Sequence, residues 1–409
     1  MEVAIAGGGI GGLSLALNLH RRGVSCRVYE TAPEIKELGV GITLLPHAMR
    51  ELTTLGVQDA IAAVGIENVE SCFFNRFGQL LYKEPRGKLA GYSYPEYGIH
   101  RGKLHKILYD EALKVLGRER ILTNRQCLGV DQDEGGVRLR MKETSSGAAL
   151  EPVRADVAIA CDGINSALRR QHYPDEKVAF AGINTWRGVT RRKPILTGRS
   201  YMRVGSIRTG KIVIYPIIDN VDGQGNQLIN WMAEIQTENA AINDWNKSGK
   251  LEDFLPIYEN WKYDWLDIGE LIRNADQILE YPMVDKDPVD RWTFGRVTFL
   301  GDAAHPMYPR GSNGAAQALI DARTLADILA KQGDSAAALK EYEAVRLAPA
   351  SKVVRTNREF PPDFLNIKVE ELTGDKPFDR LEDYISQDEL RALSDNYKKI
   401  AGFAVESLK

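Results

Sequence analysis

The sequence has 409 residues, and its 53 lysines and arginines nearly balance 56 aspartates and glutamates, for a formal net charge of −3. A chain of this length can bury a large core and is typical of two domains. The balanced charge provides neither a basic face for nucleic acid nor a polybasic patch for an anionic membrane. The expected partner is therefore a small molecule.

Four cysteines, Cys26, Cys72, Cys127 and Cys161, are widely spaced and form no Cys-x-x-Cys pair. This spacing argues against a disulfide framework, a zinc site and a dithiol redox centre. The apolar stretch near the N terminus is a short predicted helix with no basic region before it, which fits neither a signal peptide nor a membrane span. We therefore expect a cytoplasmic protein without a bound metal.

The first thirty residues predict a strand, a glycine turn, a helix and a second strand that ends in an acid. Gly7 allows a tight turn, Gly9 lets the backbone approach a pyrophosphate, and Gly12 lets the helix pack closely on the strand. The free N–H groups of the helix start would hold phosphates, and Glu30 is placed to accept hydrogen bonds from a ribose hydroxyl. The pattern predicts a dinucleotide-binding unit; a plain βαβ crossover would leave the acid unexplained.

Residues 39–42 place small side chains at alternate positions, which suggests a backbone close to a flat ligand, a mobile loop or an ordinary glycine turn. His47 follows at the start of a predicted helix, where a histidine is more often a capping or surface residue than a catalyst. Arg101 opens a helix that runs to about Leu116. Because cations are disfavoured at a helix N terminus, Arg101 indicates an anionic ligand, with a solvated arginine as the alternative.

Residues 157–160 form an apolar run typical of a parallel sheet, and the run ends at Asp162 and Gly163. Open α/β sheets bind ligands at the carboxyl ends of their strands, so this acid is a candidate contact. A second buried strand, residues 297–300, ends at Gly301 and Asp302. The glycine-rich residues 311–314 then precede a helix, which predicts a second anion-stabilising device.

Between these strands, residues 182–274 alternate apolar and polar positions and carry many aromatics. Ile229 and Trp231 share one face of a predicted strand, and Leu228, Asn230 and Met232 share the other. The pattern predicts a mostly antiparallel sheet inserted into the first domain and closed by a helical segment over residues 253–274.

The predicted fold class is α/β: a Rossmann-like domain, an inserted and mostly antiparallel β-sheet domain, and a helical C-terminal region. The discontinuous first domain takes residues 1–70, 98–178 and 277–355. Residues 71–97 and 179–276 form the second, and residues 356–409 form the C-terminal region.

Three separated motifs resemble the group A flavoprotein aromatic monooxygenases of the p-hydroxybenzoate hydroxylase type. They are the N-terminal glycines with Glu30, the Cys161-Asp162-Gly163 segment, and Gly301-Asp302 followed by residues 309–314, in the family's order and at its spacings. The resemblance implies FAD as cofactor, NADH or NADPH as co-substrate, and O2. It also implies no separate nicotinamide domain.

Within that family, the chain most resembles the phenazine-modifying, pyocyanin-forming monooxygenases. The similar stretches are residues 38–42, 94–97, 99–102, 186–190 and 281–285, together with 301–314. This implies hydroxylation of an aromatic or N-heteroaromatic ring that carries a carboxylate, with or without loss of that carboxylate. The chain departs from the related 6-hydroxynicotinate monooxygenase at Thr43, where that enzyme has a histidine, so a histidine-assisted mechanism from this position is not expected.

The resemblance also implies roles for individual residues. Arg101 would contact the phosphate and ribityl region of FAD, the backbone near Leu128 the adenine, and Asp302 a ribityl hydroxyl. The full predicted FAD set is Gly7, Gly9, Ile10, Gly11, Gly12, Glu30, Arg101, Leu128, Asp162, Gly163, Gly301, Asp302, Pro309, Gly311, Ser312, Asn313 and Gly314. The predicted substrate set is Thr43, Tyr201, Tyr215, Trp231, Met307 and Tyr308. No catalytic base is identified.

The hypothesis for the reaction is that NAD(P)H reduces FAD, O2 adds to form a flavin C4a-hydroperoxide, and its terminal oxygen attacks an electron-rich ring. The amides of residues 311–314 would stabilise negative charge at the N1/C2 edge of the flavin. Two alternatives stay open: a flavin-binding protein without turnover, such as a redox sensor or a sequestering protein, and a flavin-dependent halogenase. The halogenase ranks lower because its Trp-x-Trp-x-Ile-Pro signature is absent. A monomer or homodimer is expected.

Overall fold

The computed structural model describes residues 1–37, 39–237, 247–333, 335–359, 363–402 and 404–408. Leu38, which opens one of the stretches compared above, lies outside the described residues. So do residues 238–246 of the predicted sheet domain and residues 360–362 of the predicted C-terminal region. Within the described chain, no helix combines the length and apolar character needed to cross a membrane.

Strands and helices alternate at the N terminus and give way to a long run of strands in the middle of the chain. The strands are β1 (Glu2–Ala6), β2 (Ser25–Tyr29), β3 (Gly41–Leu44), β4 (Ile66–Glu67), β5 (Glu70–Phe74), β6 (Leu80–Pro85), β7 (Tyr97–His100), β8 (Ile121–Leu122), β9 (Arg125–Asp133), β10 (Gly136–Glu143), β11 (Ala149–Ala155), β12 (Val157–Ala160), β13 (Ala179–Arg192), β14 (Ser200–Ser206), β15 (Gly210–Ile218), β16 (Gln227–Gln236), β17 (Lys247–Ser248), β18 (Lys262–Tyr263), β19 (Leu266–Asp267), β20 (Ala275–Asp285) and β21 (Val297–Phe299). The helices are α1 (Ile10–Arg21), α2 (Pro46–Thr54), α3 (Gln58–Ala62), α4 (Arg101–Leu116), α5 (Ala167–His172), α6 (Leu255–Tyr258), α7 (Ile268–Arg273), α8 (Gly314–Lys331), α9 (Ser335–Glu359), α10 (Phe364–Thr373) and α11 (Gln387–Ile400).

The first domain is built on a five-stranded parallel sheet in the order β21-β12-β1-β2-β8. Strands β1 and β12 are apolar and buried along residues 3–6 and 157–160, as expected for parallel strands covered on both faces. Helices α1 and α8 pack against each other beside this sheet. The Rossmann-like prediction is confirmed, and the carboxyl ends of β1, β12 and β21 meet at one edge.

The second sheet has eight strands in the order β17-β20-β13-β16-β15-β14-β5-β6, and it is antiparallel except where β14 pairs with β5. One face packs Trp186 and Trp231 against Phe254 in the segment that closes the insertion. Gly188 makes this packing possible, since a Cβ there would lie 2.3 Å from the Trp231 ring. The predicted antiparallel insertion is confirmed.

One predicted domain boundary lies within a strand. Residues 277–285 were assigned to the first domain, yet they continue strand β20, which pairs with β13 as far as Asp285. The helical segment before residue 275 suggested that the insertion had ended there. Instead, the chain returns through the sheet before it re-enters the first domain at β21.

The C-terminal region folds back on its own chain. Leu365 and Leu390 pack with Phe73 and Leu81 of the β5–β6 hairpin. Tyr397 packs with Leu45, which precedes α2. The predicted helical C-terminal region is therefore confirmed, and it contacts both domains.

Candidate active site

The glycines after β1 have two different roles: some allow close packing, and one leaves an open face. Gly7 has φ of +107°, and a Cβ there would lie 2.3 Å from the carbonyl oxygen of Cys161. A Cβ on Gly12 would lie 2.0 Å from the carbonyl oxygen of Gly7. In contrast, a Cβ on Gly9 would have no atom within 4 Å. Gly7 and Gly12 are thus required by the fold itself, whereas Gly9 keeps the N terminus of α1 open to a ligand.

Glu30 follows β2 and is anchored beside this turn. Its Oε2 accepts a hydrogen bond from the Gly8 amide at 2.7 Å, and its Oε1 accepts one from the Ala32 amide at 2.7 Å. The carboxylate is half-buried and has further acceptor sites. This is the placement that ribose recognition requires.

A cavity of about 530 Å³ opens from the glycine turn and runs to the second sheet. Both domains contribute to its wall. The predicted residues that line it are Gly9, Ile10, Gly11, Thr43, Arg101, Gly163, Tyr201, Tyr215, Gly301, Asp302, Met307, Tyr308, Pro309, Ser312 and Gly314. The structure therefore brings together residues that lie up to about three hundred positions apart in the sequence, while their individual roles remain predictions.

The other predicted residues lie outside the cavity wall. Gly7 and Gly12 pack the turn, Glu30 lies beside it, and Gly311 and Asn313 belong to the loop behind the wall. Leu128 lies on β9 with 46% of its surface exposed, and its adenine contact stays a prediction. Asp162 Oδ2 accepts from the Ala167 amide at 2.8 Å, while its buried Oδ1 has no hydrogen-bond partner among the described residues.

Trp231 was expected in the substrate wall, and that prediction is wrong. Its side chain is fully buried on the opposite face of the sheet, where its indole N–H donates to Thr190 Oγ1 at 3.0 Å. Successive residues of a strand point to opposite faces, so the neighbours of Trp231 face the cavity instead. Asn230 and Met232 line it.

On the cavity face, aromatic rings form a flat wall. Tyr201 and Tyr215 stack with their ring centroids 5.1 Å apart and their planes 13° from parallel. Burial raises the pKa of the Tyr215 phenol, so it stays protonated at neutral pH. Asn230 Oδ1 accepts from the Gly41 amide at 2.7 Å, and this bond joins β3 to the sheet. A Cβ on Gly41 would lie 2.7 Å from Asn230, which explains the glycine there.

Asp302 lies at the opposite end of the cavity, directly after Gly301. Its side chain is open to the cavity but is otherwise surrounded by protein. Burial raises the pKa of this carboxyl, and the charges of His305 and Arg101 partly oppose that effect. A hydroxyl-rich ligand in the cavity would donate hydrogen bonds to this exposed carboxylate.

The sequence did not reveal the carboxylate that fixes the loop between Gly301 and His305. Asp321 of α8 accepts from the Gly301 amide at 3.1 Å and from His305 Nε2 at 2.5 Å, and its other oxygen accepts from Arg346 Nε at 2.6 Å. Burial alone would raise the pKa of Asp321, but His305 and Arg346 lower it to about 2. A carboxylate among the apolar residues of α8 was the signal that could have revealed it.

The loop before α8 is held from behind by Asn313. The Asn313 Nδ2 donates to the Tyr397 hydroxyl at 2.7 Å, and His47 Nε2 lies 3.1 Å from Asn313 Oδ1. Because a carboxamide oxygen only accepts, the His47 nitrogen is the donor. The sequence favoured a capping or surface residue for His47, but the side chain is 1% exposed, and burial lowers its pKa to about 3.

Comparison with known proteins gives the family. An FAD binding domain family matches residues 1–202 and 275–357, which is more than half of the chain. The phenazine 1,6-dicarboxylic acid hydroxylase PhzS of Lysobacter antibioticus is 40% identical over 363 residues, covering 88% of this chain and 89% of that protein. The chain belongs to the group A flavoprotein aromatic monooxygenases. The 3-amino-4-hydroxybenzoate 2-monooxygenase PtmB3 of Streptomyces platensis is 32% identical, covering 89% of this chain and 88% of its own.

Solved structures agree on the fold. HpxO of Klebsiella pneumoniae, complexed with FAD and uric acid, superposes with a TM-score of 0.75 at 22% identity, covering all of this chain and 96% of its own. The chain is an FAD-dependent aromatic monooxygenase, a family that uses NAD(P)H. The relatives are hydroxylases and monooxygenases, which gives no support to a halogenase or to a flavin-binding protein without turnover.

The residues of this monooxygenase fit FAD. The open face of Gly9 at a helix N terminus suits a pyrophosphate, and Glu30 beside the turn suits a ribose. Asp302, open to the cavity, suits a polyol chain. The N terminus of α8 at Gly314 also faces the cavity, where it would stabilise a developing negative charge. Among the described residues, no group of three or more His, Cys, Asp or Glu side chains is arranged to hold a metal ion.

Proposed function

We propose that this monooxygenase hydroxylates a planar aromatic or N-heteroaromatic ring that carries a carboxylate, with a ring system of phenazine size as the first candidate. The observation that carries the proposal is the single cavity shared by the glycine turn and the flat tyrosine wall. The name of the Lysobacter antibioticus relative, a phenazine dicarboxylic acid hydroxylase, supports the same class of substrate.

In this proposal, bound FAD supplies oxygen activation after reduction by NADH or NADPH. The protein binds and orients the cofactor and the substrate, and it excludes water from them. Residues 301–314 hold the cofactor end of the cavity, and Met307, Tyr308 and Pro309 of that loop line the space next to it. Tyr201 and Tyr215 form the opposite wall, against which a flat ring would stack.

The proposal assigns the parallel-sheet domain to FAD and the eight-stranded sheet to the substrate. Strand β3 joins the two through the bond between Gly41 and Asn230, so the substrate wall is fixed relative to the cofactor site. A cytoplasmic monomer or homodimer remains part of the proposal, and sedimentation of the purified protein would test the oligomeric state.

The test measures oxidation of NADH and of NADPH by the FAD-loaded protein across phenazine, benzoate and pyridine carboxylates. Product mass and hydrogen peroxide are followed together, with labelled O2 as the oxygen source. A compound that accelerates oxidation and gains one labelled oxygen, with little peroxide, establishes the hydroxylase. Slow oxidation with every compound, or recovery of all electrons as peroxide, would contradict the proposed substrate class.

A further inference from the structure

Arg187 is a cation in the cavity wall with no anionic partner. It lies on β13, where Trp186 and Gly188 face the packed side of the sheet, and Arg187 itself lines the cavity. Among the described residues, no carboxylate or other acceptor lies within hydrogen-bonding distance of its guanidinium, and its buried Nε has no partner. The Tyr281 ring lies beside the guanidinium, with its centroid 5.8 Å from the guanidinium carbon.

Three buried arginines of this protein are neutralised by carboxylates, whereas buried Arg203 has a hydroxyl partner, Ser71 Oγ at 3.0 Å, and two aromatic rings instead. Arg169 pairs with Glu176, Arg310 pairs with Asp363 at 2.9 Å, and Arg346 pairs with Asp321 at 2.6 Å. A guanidinium that is partly removed from water without an anion is costly to maintain. Arg187 therefore differs from these structural arginines, and its unsatisfied donors face the space in which a ligand would lie.

The distribution of charge along the cavity indicates what that ligand carries. The charged residues of the wall are Arg101, Arg187 and Asp302. Arg101 and Asp302 belong to the cofactor end, where the charge of Arg101 acts on Asp302. Arg187 belongs to the sheet, where its charge acts on the Tyr215 phenol. The substrate wall thus presents one positive charge and no negative charge.

We infer that Arg187 binds the ring carboxylate of the substrate, an inference that rests on the proposed function above. A guanidinium matches a carboxylate by two parallel hydrogen bonds, which fixes the plane of the acid as well as its position. Tyr281 lies against the guanidinium, and Met232 neighbours Arg187 across the β13–β16 pairing. Arg187 consequently selects acids over neutral rings and sets which ring edge faces the sheet.

The test compares each aromatic acid of the panel with its primary carboxamide, which has a similar shape but no charge. Dissociation constants are measured by calorimetry and by the change in flavin absorbance of the FAD-loaded holoenzyme. The variants are Arg187→Met and Arg187→Lys. The control is Arg191→Met, which removes an exposed arginine of the same strand that pairs with Asp276 at 3.1 Å.

Arg187→Met is expected to weaken binding of the acid about 10- to 100-fold and binding of the carboxamide less than about threefold. Arg187→Lys should recover part of the affinity for the acid, and Arg191→Met should change neither ligand. If the wild-type protein binds acids but Arg187→Met weakens acid and amide equally, or weakens neither, the inference is wrong while the proposed function stands. If the wild-type protein binds no acid of the panel, the proposed substrate class fails and the inference fails with it.

Discussion

The hydroxyl of Tyr397 accepts a hydrogen bond from Asn313 Nδ2 at 2.7 Å, which ties the C-terminal helix α11 to the loop that closes the cofactor end of the cavity. The same hydroxyl lies 3.1 Å from Asn357 Oδ1, to which it donates. A Cβ on Gly311 would lie 1.7 Å from this oxygen, so the loop passes close over the tyrosine. The C-terminal region is thereby a support for the cofactor site.

Replacing Tyr397 with phenylalanine should weaken FAD binding and lower stability. The Asn313 donor and the Asn357 acceptor would both lose this partner in a buried place, at a cost of about 1–3 kcal/mol in the free energy of unfolding. Chemical denaturation of the apoprotein and titration with FAD measure the two effects. The exposed Tyr384→Phe serves as control. Unchanged FAD affinity in Tyr397→Phe would show that the loop keeps its shape without this bond.

Two glycines of the same turn should respond differently to alanine. Gly12→Ala places a methyl group against the Gly7 carbonyl and should destabilise the apoprotein. Gly9→Ala meets no atom within 4 Å, and its φ of −74° suits alanine, so the stability of the apoprotein should be retained while FAD affinity falls. Thermal denaturation without FAD, followed by FAD titration, separates the two. Normal FAD binding in Gly9→Ala would contradict the predicted pyrophosphate site.

The buried His47 predicts a pH dependence of stability. Its pKa is about 3 in the folded protein and near 6.5 when exposed, so between these values the unfolded chain binds the extra proton. Stability should therefore fall as the pH decreases from 6.5 towards 3, by up to about 1.4 kcal/mol per pH unit from this group.

His47→Gln should flatten that acid loss, and its gain in stability relative to wild type should increase as the pH falls from 6.5 to about 3. Urea denaturation at several pH values measures the free energy of unfolding, and His20→Gln, at an exposed position, provides the control. An identical pH profile for wild type and His47→Gln would exclude His47 as a source of the acid loss.

Asp302→Asn should weaken FAD binding while slightly stabilising the apoprotein. Burial raises the pKa of Asp302 above its ordinary value of 3.8, so ionisation above that pH disfavours the folded apoprotein. Because the side chain is exposed to the open cavity, water screens this effect, so the asparagine variant should be only slightly more stable at pH 7 and the difference should disappear below about pH 3.8, where both states are protonated. FAD affinity should decrease because the carboxylate acceptor is lost. A variant that is less stable at pH 7 would contradict this account.

Local patterns were sufficient to predict the glycine turn after β1, because the reasons for Gly7, Gly9 and Gly12 lie within that turn and the strands next to it. The substrate wall was harder. Alternation in β16 showed that Asn230 and Met232 share a face and that Trp231 lies on the other, but it did not show which face the cavity takes. Large aromatics fill cores as readily as they line pockets, and Trp231 fills the core.

The sequence contains no pattern that predicts contacts between distant segments. Asn313 and Tyr397 are 84 positions apart, and no pattern near either residue indicates the other. Arg187 is different. Its neighbours Trp186 and Gly188 form part of the stretch that resembles the family, and the alternation of β13 separates it from Trp186. The sequence does not show that Arg187 has no acid near it, because that is a property of the folded cavity.

The two faces of the eight-stranded sheet offer a route by which such enzymes can acquire new substrates. Positions 201, 215, 230 and 232 point into the cavity, whereas 202, 214, 231 and 233 belong to the packed core. A point mutation at the first set changes the shape and polarity offered to a ring and leaves the core cluster around Trp231 intact. An insertion of one residue in β16 would instead exchange positions 230 and 232 with 231 and 233 between the two faces. Divergence in substrate range among relatives should therefore arise from substitutions in these strands, and changes of length should fall in the loops between them.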